Sequence, residues 1–271
     1  DRVRHMEALN SQTGLVFLTY RAVDAIDKFV AERAMAEPDY DFTAVDGVRH
    51  TAWTVTEDDD MSFLRDAFAK VDALYIADGH HRSAAAARVS KARDGSGGSH
   101  GFIAVIFPDH QMQILAYNRV VEDLNGLSQD EFLVKLGKVF EFEDGGQPQT
   151  KNELALYLDG QWRRLRFKSD YTKGDTAEDS LDVALLQRHV LTPLLGIDDP
   201  RTSSRIDFVG GIRGSLELEK RVDEQGWACA FSMHPTSIAD LLAVADGGGL
   251  MPPKSTWFEP KLRDGLFCHN L

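Results

Sequence analysis

The spacing of hydrophobic and polar positions changes along this chain, and each spacing predicts either a strand or a helix. Apolar, β-prone runs predict a buried strand at residues 15–20 and a further strand at residues 74–77. Apolar residues at helical spacing predict an amphipathic helix over about residues 61–71. The segment Ser128-Gln129-Asp130-Glu131 matches a capping box, which predicts a helix that runs to about Phe140.

Pairs of apolar runs that flank turn-forming residues predict β-hairpins. The strongest signal is Asp159-Gly160, which separates residues 153–158 from residues 162–167. Two further hairpins are predicted from residues 102–107 with 112–117 and from residues 215–222 with 227–233. Strands in hairpins with helices between them favour an α+β fold with mixed or antiparallel sheets over a doubly wound Rossmann fold.

Composition and charge narrow the class of protein. The 271 residues are 43% hydrophobic and 27% charged, which is typical of a soluble globular protein with one large or two modest domains. The net charge of −13 argues against a nucleic-acid-binding surface, although a local cluster of cations can still bind a small phosphorylated ligand. The two cysteines have no disulfide or metal-site spacing, and no apolar run is long enough to span a membrane. We therefore expect a cytoplasmic protein without nucleic-acid or membrane partners, and its oligomeric state stays open.

The strand at 74–77 runs through Asp78-Gly79-His80-His81-Arg82 into an alanine-rich segment that predicts a helix. Helix N-terminal N–H groups have no intrahelical partner and carry partial positive charge, so this order predicts an anion site. His81 and Arg82 add donors suited to phosphate, and Asp78 is an acid that can face a hydroxyl group or a metal. The alternative is an ordinary Asp-Gly turn in which Asp78 caps the helix and the histidines are surface residues.

A second constellation lies at Lys254-Ser255-Thr256, after two prolines. An ammonium group and two hydroxyl groups in succession can hold phosphate oxygens, but the Walker A spacing is absent. The alternative is a rigid surface loop whose Trp257 and Phe258 dock into the core. The histidines lack metal-ligand spacing, so we predict no resident metal site.

Three segments together resemble the domain of unknown function 1015 family. They are Tyr75-Ile76-Ala77-Asp78-Gly79-His80-His81-Arg82, Tyr117-Asn118-Arg119-Val120-Val121, and Met251-Pro252-Pro253-Lys254-Ser255-Thr256 with Phe258-Glu259-Pro260-Lys261. That family is placed near the ParB and sulfiredoxin-like nucleotide-binding proteins, and some members are associated with ATP-dependent phosphorylation of free L-serine. The resemblance implies a ParB/sulfiredoxin-like nucleotide-binding part at residues 1–125, which we expect to be truncated at its N-terminus. It also implies an α+β part at residues 126–271 that returns the second constellation to the site.

The resemblance also implies roles for individual residues. Gly79, His81 and Arg82 would bind nucleotide phosphates, while Asp78 and His80 would activate the substrate hydroxyl group or hold Mg²⁺. The further nucleotide-binding candidates are Arg119, Lys254, Ser255 and Thr256. After the arginine, many family members have an aromatic residue, Glu and Thr, whereas this chain has Ser83-Ala84-Ala85, which predicts a different substrate preference.

Together with the anion site, the resemblance implies a kinase-like enzyme that transfers a phosphoryl group from ATP, or ADP as the alternative nucleotide, with Mg²⁺ to a small hydroxyl substrate. Free L-serine is the first candidate acceptor. Two alternatives stay open: a non-catalytic nucleotide-binding sensor or switch, and a phosphatase. A sulfiredoxin-like redox reaction is disfavoured because the turn at residues 78–82 contains no cysteine.

Overall fold

The computed structural model describes residues 1–259 and 261–271, and only the backbone of Asp144. Pro260, which belongs to the third family-like segment, lies outside the described residues. Contacts within the chain divide it into a first unit of residues 1–112 with 261–271 and a second unit of residues 113–259. Every helix in the described ranges is too short or too polar to span a lipid bilayer.

Helices are interspersed among the strands in both units. The α-helices are α1 (Arg2–Leu9), α2 (Asp24–Arg33), α3 (Asp58–Phe68), α4 (His80–Ala92), α5 (Gln129–Val139), α6 (Asp182–Leu186), α7 (Gly214–Gln225) and α8 (Ile238–Asp246). The strands are β1 (Ser11–Gln12), β2 (Val16–Tyr20), β3 (Tyr40–Thr43), β4 (Arg49–Ala52), β5 (Tyr75–Asp78), β6 (Ala104–Pro108), β7 (Gln113–Leu115), β8 (Tyr117–Val121), β9 (Phe140–Asp144), β10 (Glu153–Leu158), β11 (Gln161–Phe167), β12 (Ile206–Gly210), β13 (Cys229–Met233), β14 (Trp257–Glu259) and β15 (His269–Asn270). The arrangement is α+β with mixed and antiparallel sheets, as the sequence predicts.

The first unit contains a three-stranded sheet in the order β5-β2-β6. The central strand β2 is buried along its whole length, is antiparallel to β5 and is parallel to β6. Helix α4 buries Ala85, Ala86 and Val89 in a small apolar cluster with Met6 of α1. The small alanine side chains let α4 pack closely against α1, and the single residue between β5 and α4 keeps the N-terminus of α4 at the end of β5.

The second unit contains a six-stranded antiparallel sheet in the order β12-β8-β13-β10-β11-β9. Its main apolar core lies on one face, where Phe132, Leu136 and Leu185 are fully buried. Helix α7 covers the other face through Leu218, which packs in one cluster with Val120 and Tyr157. Successive strand residues point to opposite faces, so both faces of this sheet carry apolar side chains.

Local signals in the second unit are confirmed. The hairpin of β10 and β11 turns at Asp159 and Gly160, which both have positive φ angles, as a two-residue hairpin turn requires. Ser128 caps α5 in a complete capping box with Glu131, and the helix ends at Val139.

Two predicted hairpins are wrong. Residues 102–107 and 112–117 do not pair with each other, because β6 pairs in parallel with β2 and β7 pairs with β14. Residues 215–222 belong to helix α7 rather than to a strand. The alternation of Leu216 and Leu218 suggested a strand, yet Leu218 is fully buried and Leu216 is 75% exposed. Good helix formers and a Glu217–Arg221 pair at 3.0 Å outweigh that short alternation.

Candidate functional site

The strand-turn-helix transition that the sequence predicts is present in the first unit. Strand β5 ends at Asp78, Gly79 is the N-cap residue with φ of +95°, and α4 begins at His80. Gly79 is required here because its φ is positive, and because an added Cβ would lie 3.2 Å from the Cα of Val16. The glycine turn therefore aims the first N–H groups of α4 at the end of β5.

The start of α4 has no side-chain cap. The carbonyl of Gly79 accepts hydrogen bonds from the backbone N–H groups of Arg82 and Ser83, at 2.8 and 2.9 Å. Asp78 does not cap this helix, because its Oδ1 accepts from the adjacent N–H of Gly79 at 2.6 Å. Uncapped N–H groups at a helix N-terminus attract anions.

Arg82 is the group in this turn whose bonding is incomplete. Its side chain is mostly buried, with 18% of its surface exposed, and its Nη2 lies 4.0 Å from Oδ2 of Asp78. Its Nε is fully buried and has no hydrogen-bond partner among the residues that the structure describes. A buried N–H donor without an acceptor costs about 1–3 kcal/mol, so such a group calls for an acceptor from outside the chain.

Two glycines make room for the Arg82 side chain. A Cβ on Gly79 would lie 3.2 Å from its Nε and Nη2, and a Cβ on Gly14 would lie 3.0 Å from its Cδ. Sequence reasoning missed Gly14, which precedes the buried strand β2. A glycine directly before a buried strand was the available signal, but only the fold brings Gly14 to Arg82.

The remaining groups of the turn face solvent. The side chains of His80 and His81 are exposed, and half of the Asp78 side chain is exposed. Oδ1 of Asp78 accepts from the N–H of Gly79, and Oδ2 lies 4.0 Å from Nη2 of Arg82. The turn thus presents one guanidinium, two imidazoles and one carboxylate.

Arg119 and the Lys254-Ser255-Thr256 loop lie together in the second unit. Arg119 is 4% exposed, and its guanidinium donates to the carbonyl of Tyr117 and, at 3.0 Å, to the carbonyl of Lys254. Burial lowers the pKa of Arg119 to about 10. Arg119 therefore ties strand β8 to the loop through backbone groups.

The loop itself is held rigidly. Ser255 is buried and its hydroxyl donates to the carbonyl of Pro252, while the Ser255 carbonyl accepts from Oγ1 of Thr236 at 3.1 Å. Phe258 is buried and the Trp257 ring packs against Tyr117, as the rigid-loop interpretation predicts. Lys254 is exposed, with its Nζ 5.3 Å from the centre of the Tyr117 ring.

The nine candidate residues therefore form two groups. Asp78, Gly79, His80, His81 and Arg82 share one turn of the first unit, and Arg119, Lys254, Ser255 and Thr256 share one region of the second unit. Within the described part of the chain, no three His, Cys, Asp or Glu residues are grouped as metal ligands.

Comparison with known families identifies the chain. The model of a family described as "Protein of unknown function (DUF1015)" matches residues 1–184, which is more than half of the sequence. The chain belongs to the DUF1015 family. The resemblance seen in the sequence is thereby confirmed, and the matched region includes the 78–82 turn and Arg119 but ends before Lys254.

Among solved structures, similarity is distant. A conserved hypothetical protein from Pyrococcus furiosus is 11% identical, with 97% of this chain and 83% of that chain covered and a TM-score of 0.43. A free serine kinase in complex with AMP is 11% identical, with 94% and 77% covered and a TM-score of 0.44. SbnI with a C-terminal truncation from Staphylococcus aureus is 10% identical, with 99% and 76% covered and a TM-score of 0.49. At these scores the similarity establishes neither a shared fold nor a shared activity. No protein with a curated description matches the chain.

Proposed function

We propose that this protein binds a nucleotide by its phosphates at the 78–82 turn and transfers the γ-phosphoryl group of ATP to a small hydroxyl substrate. Free L-serine is the first candidate acceptor, on the family resemblance. The observation that carries the proposal is the buried Nε of Arg82, which lacks an acceptor beside an uncapped helix N-terminus.

A phosphate group satisfies both needs of this turn at once. Its oxygens accept from the guanidinium of Arg82 and from the free N–H groups at the start of α4, and its charge complements both. Hydrogen bonds to charged groups stabilise a complex by about 1.5–3 kcal/mol each, so Arg82 supplies much of the phosphate affinity. His81, exposed on the first turn of α4, adds a further donor in this proposal.

The transfer step uses the remaining groups of the turn. The substrate hydroxyl oxygen attacks the γ-phosphorus, and its proton passes to Oδ2 of Asp78, with His80 as the alternate base. The bond from the γ-phosphorus to the bridging oxygen breaks, and ADP leaves with that electron pair. Positioning and charge neutralisation supply most of the catalysis in such reactions.

The 78–82 turn offers few ligands for Mg²⁺. The turn offers one carboxylate, which suits a metal held chiefly by the phosphates of the nucleotide. When bound, Mg²⁺ neutralises charge on the β- and γ-phosphates.

The second-unit group has a divided role in the proposal. Lys254 and Thr256 stay sequence-based candidates for phosphate binding within the second unit, because their side chains are at least partly exposed. Ser255 and Arg119 would position that loop, since the Ser255 hydroxyl and two Arg119 N–H groups already bind backbone carbonyls.

The test compares Arg82→Gln with Arg88→Gln, a matched control on the exposed side of the same helix. ADP binding is measured by calorimetry, and products from ATP, Mg²⁺ and L-serine are measured by phosphorus NMR. We expect Arg82→Gln to weaken ADP binding at least tenfold, about 1.4 kcal/mol, and to abolish O-phosphoserine formation, while Arg88→Gln leaves both unchanged.

Other outcomes distinguish the alternatives. Equal ADP binding by the wild type and Arg82→Gln would refute the phosphate site. Tight ADP binding without a phosphorylated product from any small hydroxyl compound would identify a nucleotide sensor rather than a kinase. Phosphate release that needs no acceptor would identify a phosphatase.

A further inference from the structure

A cavity of about 560 Å³ lies within the second unit, and none of its lining residues belongs to the 78–82 turn at which phosphoryl transfer is proposed. Its apolar wall includes Val183, Leu191, Phe208 and Pro253, and Arg119 lines it as well. Charged and apolar side chains line it in about equal number, and its volume lies in the range of small-molecule sites.

Arg119 places in this cavity a positive charge that no carboxylate of the described residues neutralises. Its side chain is almost fully buried, and among the described residues it makes no ion pair. The other two guanidiniums in the lining differ, because Arg188 pairs with Asp179 and Arg201 pairs with Asp199 at 2.8 Å. A buried charge is costly unless an opposite charge and hydrogen bonds compensate for it.

Arg119 also has donors to spare. Two of the five N–H groups of a guanidinium are used here, for the carbonyls of Tyr117 and Lys254, and three remain. The fixed fork of a guanidinium matches the two oxygens of a carboxylate. The lowered pKa of Arg119 has the same cause, since burial without a counter-charge disfavours the cation.

The rest of the lining selects the kind of anion. Four carboxylates line the cavity against three guanidiniums, so its formal charge is negative even with Arg119 included. Glu178 and Asp198 have no cationic partner within the described part of the chain. These carboxylates repel a polyanion such as a nucleotide more strongly than they repel a monoanion. A monoanion with an apolar body can pair with Arg119 and pack against the apolar wall.

We propose that this cavity binds a small organic monocarboxylate. The carboxylate is held by Arg119, and the apolar body packs against Val183, Leu191 and Phe208. This inference does not rest on the proposed phosphoryl transfer, in which Arg119 has only the role of holding the Lys254 loop.

The test uses hexanoate and phenylacetate as probes, with hexanamide as the neutral match of hexanoate and inorganic phosphate and ADP as competing anions. Binding to the full chain is measured by saturation-transfer NMR and calorimetry at neutral pH. We expect hexanoate or phenylacetate to bind, hexanamide to bind at least tenfold more weakly, and phosphate and ADP not to displace the carboxylate.

Substitutions test whether the carboxylate binds in this cavity. Arg119→Gln should weaken carboxylate binding at least tenfold, whereas Arg213→Gln, which removes an exposed guanidinium outside the cavity, should not. Because Arg119 also holds the Lys254 loop, Ala184→Phe serves as a second variant: it fills the cavity and leaves Arg119 in place. The proposal is overturned if neither carboxylate binds, if the amide binds as well as the acid, if ADP competes, or if Ala184→Phe binds like the wild type.

Discussion

Replacing Gly79 with alanine should damage both the stability and the phosphate affinity of the turn. The φ angle of +95° costs an L-residue roughly 1–2 kcal/mol. The new Cβ would also lie 3.2 Å from Arg82 Nε and from the Val16 backbone, which is tighter than ordinary contact. We take that crowding as about 1 kcal/mol, at the low end for overpacking, so the total is about 2–3 kcal/mol.

Gly47 supplies the matched control in the same unit. Its φ is +82°, but an added Cβ would meet nothing within 4 Å. Gly47→Ala should therefore cost only the backbone term of roughly 1–2 kcal/mol and leave ligand binding unchanged. Gly79→Ala should in addition displace the Arg82 guanidinium and weaken ADP binding at least tenfold.

The assay for this pair has two parts. Hydrogen exchange of the β5 and α4 amides reports the local free energy of opening, and calorimetry reports ADP affinity. If Gly79→Ala binds ADP as tightly as Gly47→Ala does, the placement of Arg82 between the two glycines has no part in ligand binding, and the reasoning is refuted.

Two further predictions concern the second unit. Leu218→Ala should destabilise it by about 2–5 kcal/mol in urea unfolding, because Leu218 of α7 is fully buried against the sheet. Leu216→Ala, at a 75% exposed position of the same helix, should change stability by less than about 0.5 kcal/mol, and similar losses from both variants would contradict the helical assignment. Burial raises the pKa of Asp182 from 3.8 to about 7. Between these pH values the folded state therefore keeps a proton that the unfolded state has released. The free energy of unfolding should fall as pH rises through this range, on the order of 1 kcal/mol per pH unit. Asp182→Asn keeps an acceptor for the N–H of Asn152 and should remove that slope in unfolding measured across this pH range; an unchanged slope would show that Asp182 does not titrate there.

Features that depend on a few neighbouring residues were predictable from the sequence. The hairpin at Asp159-Gly160 needs only two residues that accept positive φ, and the Ser128 cap needs only a glutamate three positions on. The 78–82 turn belongs to the same class, since one glycine between a strand and a helix generates it.

Features that depend on distant residues were not predictable in this way. Strand β6 lies next to β7 in sequence, but its partner is β2, whose buried residues 16–20 are far away along the chain. The segment of helix α7 also fits a strand pattern, because Leu216 and Leu218 are two positions apart, and only burial shows that Leu218 alone faces the core. Gly14 joins the Arg82 site, and Arg119 meets the Lys254 carbonyl, only after the chain has folded.

The most direct test of the central claim observes the Arg82 Nε–H group itself. Its resonance can be assigned in proton–nitrogen NMR spectra by its absence from Arg82→Lys. Because this N–H is buried without an acceptor in the described structure, we predict a resonance that shifts saturably as ADP is added, with the same midpoint as calorimetric binding. A resonance that stays unchanged while ADP saturates the protein would show that the nucleotide binds elsewhere, and the proposed phosphate site would be wrong.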